Sequence, residues 1–201
     1  FRSAYQIRED DYNSLFTGKN NGFPQGLRMQ ILRARGQYAI DLADVVALES
    51  NESNPDIVQV LEHALRVFVR IGDRLGTAHA QLRMARLSRQ TESPDGRAWA
   101  RVMARAALVY AQDQHAAYLA GQCFRERALS GLSDLGIYES EGFGGGFSLN
   151  ASSVQEDLEK SLEIFRSEAA DPFEAALTQH KLGLILKRRA RDTSVIAVHF
   201  R

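Results

Sequence analysis

Two stretches of this chain concentrate groups that bind anions. Residues 74–90 carry Arg74, Arg83, Arg86 and Arg89 with no acid among them, and residues 172–189 carry Lys181, Lys187, Arg188 and Arg189 against the single acid Glu174. Residues 153–168 show the opposite bias, with Glu156, Asp157, Glu159, Glu163 and Glu168. Clustered guanidinium and ammonium groups clamp carboxylates through charge-assisted hydrogen bonds. A desolvated pair contributes about 1.5–3 kcal/mol, an exposed one about 0–1 kcal/mol. Basic residues near a helix C-terminus also satisfy the last carbonyls and complement the macrodipole, which is the plainer reading for Lys187 to Arg191.

Catalytic spacings are missing. No glutamate stands three residues before His63, His79, His115, His180 or His199, which removes the di-iron carboxylate pattern, and no His-Glu-x-x-His or Gly-x-Ser-x-Gly occurs. Gly18-Lys19 and the glycine run at 142–146 lack the Gly-Lys-Ser/Thr ending of a phosphate loop, and Glu9-Asp10-Asp11 has no partner in the pattern. The expectation is therefore a binding module without catalytic residues, metal or cofactor. Cys123, the single cysteine, sits among small and apolar neighbours and reads as a packing residue rather than a reactive thiol.

Composition narrows the partners. The 201 residues hold 25 basic and 25 acidic side chains, so no global charge draws the chain to nucleic acid or an anionic membrane. No apolar run approaches the roughly 20 residues that span a bilayer, and a lone cysteine suits a reducing compartment. A cytoplasmic location is expected. The start Phe1-Arg2-Ser3-Ala4 has no initiator methionine and no signal-like apolar core, so the chain is expected to be a piece of something longer.

Apolar residues recurring at three and four define the elements that must position these groups. Residues 1–24 read as an irregular lead-in. A first helix begins near Leu27, with Ile31, Ala34, Tyr38, Leu42, Val45 and Leu48 as its expected inner face and Gly36 as its weak point. Asn51 to Asp56 ends it with capping residues and a proline suited to a first turn. Further helices follow over about 56–71, 74–90, 96–111, 115–132, 153–168 and 172–189. Gly72-Asp73 and Gln112-Asp113-Gln114 occupy equivalent breaks. A glycine-rich insertion covers about 134–151, and an apolar, β-branched tail covers 192–201 with no helical period.

Within these helices a large residue followed by a small one occurs as Met84-Ala85 and Leu182-Gly183, with Ala78 and Ala176 six residues before the large one. Ala64 with Phe68, Ala106 with Tyr110, and Ser161 with Phe165 give small and aromatic positions on the alternate helices. This pattern resembles the tetratricopeptide repeat family over about two thirds of the chain. The aromatic of the first helix of each pair is replaced by Ser88 and Leu186, and residues 114–133 fit poorly. The resemblance implies an all-α, right-handed α-solenoid of antiparallel helix-turn-helix pairs, about seven helices over residues 25–191.

It further implies a concave wall on which His79, Arg83, Arg86, Arg89, Gln90, His180, Lys187 and Arg188 bind a peptide or partner domain, an acidic one suiting the basic side chains. Tyr138, Phe143 and Phe147 would add aromatic anchors from the insertion. The implied function is a protein-interaction or regulatory scaffold module, with self-association through the last helix as a further expectation. The alternative is a nucleic-acid-associated helical array, weakened by the neutral total charge and the acidic sixth helix.

Overall fold

The computed structural model describes residues 24–49, 55–91, 93–132 and 150–199, with side chains for 24–45, 57–91, 93–132 and 152–187. Seven helices and no strand occur among them: α1 (Gln25–Glu49), α2 (Pro55–Ile71), α3 (Arg74–Gln90), α4 (Pro94–Asp113), α5 (Ala117–Leu132), α6 (Asn150–Ser167) and α7 (Pro172–His199). The lead-in up to residue 23 and the insertion anchors Tyr138, Phe143 and Phe147 lie outside the described residues.

The chain reverses from even to odd helix by one device used three times. Gly72 (φ 70°), His115 (φ 52°) and Ala170 (φ 48°) take the left-handed conformation between α2 and α3, α4 and α5, and α6 and α7. In the first two turns the next amide bonds back to a carbonyl five residues earlier, Asp73 to Phe68 at 2.9 Å and Ala116 to Ala111 at 2.9 Å. That closure serves carbonyls the helix end leaves orphaned. Helix starts are fixed in the same local way: Asp73, Ser93 and Asp171 side chains accept the amides of Gly76, Gly96 and Glu174 at 2.9, 2.9 and 3.0 Å.

Each helix packs on the next, and α3 also touches α1 and α5. Two phenylalanines on even helices are driven between their neighbours. Phe68 of α2 is buried against Gly36 of α1 and Gly76 of α3, and a Cβ at Gly36 would come within 2.5 Å of the Phe68 ring. Phe165 of α6 fills the equivalent place beside Gly121 of α5, where an added Cβ would lie 2.9 Å from its ring. Only a residue without a side chain leaves room for the wedge.

The buried face of α1 differs from the one its periodicity suggests. Leu32, Ala39, Ile40 and Ala43 are buried with Gly36, whereas Ala34, Tyr38 and Val45 are exposed and Ile31 and Leu42 only half-buried. The helix carries apolar residues on two sides, and the side with the small residues turns inward because it admits Phe68. Gly36 is thus a contact point and not a weak one. The tail is also revised: the helix expected to end near residue 189 continues through the apolar stretch to His199.

Cys123 is fully buried, and burial pushes its thiol up to about 12, which leaves it protonated and inert at neutral pH.

Candidate functional site

The odd helices are tied to one another by charge. Arg33 of α1 reaches the capping carboxylate Asp73 at the start of α3 at 2.5 Å, and Arg83 of α3 reaches back to Asp44 of α1 at 2.7 Å. On its other side α3 sends Arg89 to Glu126 of α5 at 2.5 Å, while Arg86 stands 3.9 Å from the same carboxylate. Arg125 of α5 then pairs with Glu174 of α7, which also accepts from Tyr118 at 3.2 Å and Gln122 at 3.4 Å. The basic stripe of the third helix is therefore threaded with acids from its neighbours.

Both Arg125 and Glu126 are buried, as is Glu174. Burial raises the pKa of Glu174, but the bonds from Arg125, Tyr118 and Gln122 outweigh it and hold the carboxyl below its ordinary value. The Arg125 guanidinium also lies 5.4 Å from the centre of the Phe165 ring, so the α5–α7 contact combines charge with the α6 wedge.

A cleft of about 380 Å³ opens between α1, α2 and α3. Ala43, Ile57, Leu61 and Leu87 give it apolar walls; Asp44, Arg83, Arg86 and Gln90 supply its polar groups. Three residues marked out in the sequence, Arg83, Arg86 and Gln90, thus meet in one place, three and four residues apart on the C-terminal turns of α3. Among the described residues the three guanidiniums of Arg83, Arg86 and Arg89 face two carboxylates, Asp44 and Glu126. Arg83 and Arg89 take the short contacts. Arg86 is left with the long one.

The electrostatics follow from that crowding. Burial, and then the charge of Arg83, lower the pKa of Arg86, while it remains a cation at neutral pH. Burial raises the pKa of Asp44 despite the attraction of Arg83 and Arg86. His79, one turn before Arg83, is held below its ordinary pKa by burial and by Arg83 and Arg86, so it is neutral at pH 7. An anionic group entering the cleft would find Arg86, whose Glu126 contact is long, against an apolar floor.

The remaining sequence-marked residues lie elsewhere. Arg89 serves Glu126 instead of lining the cleft, and His180 and Lys187 are exposed on α7. The side chain of Arg188 is outside the described residues. The acids that organise the site, Asp44, Glu126 and Glu174, were not singled out by sequence. One signal was available, since Arg125-Glu126-Arg127 is a charged triplet inside an otherwise apolar helix and needed partners from other helices. Arg127 finds its partner in Asp157 of α6 at 2.5 Å.

Among the described residues no cluster of three or more histidine, cysteine or acidic side chains could hold a metal ion, and no helix is long and apolar enough to cross a membrane. Comparison with protein-family models, curated proteins and solved structures finds no match to this chain.

Proposed function

We propose that this chain is a protein-interaction module, a right-handed stack of tetratricopeptide-like helix pairs that docks an acidic peptide segment of a partner protein in the cleft between α1, α2 and α3. The observation that carries the reading is Arg86, a half-buried guanidinium whose nearest acid among the described residues is 3.9 Å away and already held by Arg89. A partly desolvated cation with half a partner favours an added carboxylate, because part of the desolvation has already been borne by the fold. Apolar walls beside it suit a hydrophobic residue next to the acid. Gln90 at the rim can donate to or accept from a peptide backbone.

The test is fluorescence polarisation with labelled peptides in which one Asp or Glu is flanked by apolar residues. Arg86→Ala is expected to weaken the tightest binder by about 10- to 100-fold, from a charged hydrogen bond of about 1.5–3 kcal/mol. Lys187→Ala, on α7, should change it less than about twofold. Binding indifferent to Arg86→Ala would overturn the assignment. A preference for oligonucleotides, with affinity falling steeply in the logarithm of salt, would replace it with phosphate tracking.

A further inference from the structure

The second surface that stands out is one side of α7. Phe173, Ala176, Leu177, His180, Gly183 and Leu184 each have others of the set three or four residues away, so they share a face. All six are exposed, Phe173 by 75%, and a Cβ at Gly183 would meet nothing within 4 Å. An apolar face built on alanine and glycine is the kind that another helix approaches closely.

The fold contains its own template for what covers such a face. Ala78 and Ala85 of α3 stand seven residues apart, as Ala176 and Gly183 do on α7. In α3 both alanines are fully buried, Ala85 against Ala100 and Ala104 and Ala78 against Ala107, Leu108 and Ala111, all of α4. The opposite sides of the two helices agree as well: Ala80, Met84 and Leu87 of α3 pack toward the preceding pair, as Ala175, Leu182 and Ile185 of α7 do. Among the described residues α7 has everything α3 has except the helix that follows.

We infer that the Phe173–Leu184 face of α7 docks an amphipathic helix from outside these 201 residues, running antiparallel, with alanine-sized residues spaced four, three and four as in α4 and acidic residues in its first turns. The spacing comes from Ala100, Ala104, Ala107 and Ala111. The acidic requirement comes from the charge beside the face. His180, Lys181 and Lys187 are accessible there, while Glu174, the one acid of α7 up to residue 187, is buried and held by Arg125. A second copy of α7 would set lysine near lysine; an antiparallel helix with an acidic start sets its carboxylates beside Lys187 and complements its own dipole.

A stapled peptide of residues 93–114 bearing R97E and R101E is the probe, titrated into the 201-residue chain by calorimetry. One-to-one binding is expected, weakened at least about tenfold by Gly183→Leu, whose side chain would point into open space in the free chain and leave its helicity unchanged by circular dichroism. Lys187→Glu should weaken it several-fold, and Arg86→Ala should leave it alone, which separates this face from the cleft. Absence of binding, or binding unaffected by Gly183→Leu, overturns the inference. So does a dimer of the chain alone, seen by light scattering and dissolved by Gly183→Leu, since the face would then be covered by a second copy.

Discussion

Glu126→Gln tests whether acids threaded between odd helices hold the array together. The wild-type carboxylate is 5% exposed and receives Arg89 at 2.5 Å, with Arg86 at 3.9 Å. Removing one partner of a fully buried pair costs about 3–5 kcal/mol, chiefly from the charge left behind. Here the stranded arginines retain 26% and 23% side-chain exposure, so water relieves part of that penalty, and about 2–3 kcal/mol is the reasoned loss. For a domain of this size that corresponds to a fall in Tm of about 4–12 °C. Thermal unfolding by circular dichroism reads it directly. The double variant Glu126→Leu with Arg89→Met should regain at least half of the loss, because apolar replacement of the close pair leaves only the more distant, partly solvated Arg86 without its carboxylate. The same Glu126→Gln change frees Arg86, so the acidic peptide should bind several-fold tighter at low salt. A Tm within about 1 °C of wild type, together with unchanged peptide affinity, would refute the reasoning.

The left-handed turns and the buried histidine give two further tests. His115→Gly and Ala170→Gly should each raise stability by about 0.5–1 kcal/mol, since glycine adopts these positive φ values without the penalty a Cβ imposes, and Gly72→Ala should lower it by about 1 kcal/mol; urea unfolding midpoints compare them. His79 has its pKa lowered in the fold by burial, Arg83 and Arg86, so below its ordinary value near 6.5 the unfolded chain binds the proton first and stability falls as pH drops. His79→Gln should flatten the slope of Tm against pH between about pH 6.5 and 5, and an unchanged slope would mean the histidine is solvated.

Helical periodicity and capping chemistry made the elements legible. Asp73, Ser93 and Asp171 are local signals that act within three residues of themselves, and six of the seven helices follow from such spacing with boundaries shifted by a few residues. α1 was misread in its facing and α7 in its length, for related reasons. An isolated helix with apolar residues on two sides does not say which one a neighbour takes, and Phe68 settles it by fitting Gly36. The apolar end of α7 has no strong 3.6-residue pattern, and the helix continues through it all the same.

Charge shows the division most sharply. Sequence alone places Arg83, Arg86 and Arg89 on one helix without an acid, because their spacing is a property of neighbouring turns. Whether they form a bare basic wall depends on Asp44, thirty-nine residues before Arg83, and Glu126, thirty-seven after Arg89. Those acids arrive only when α1 and α5 come to lie on either side of α3. Coulomb attraction acts through space, not along the chain, so the sequence determined which residues carry charge and the tertiary structure decided which guanidinium, Arg86, keeps some of it uncancelled.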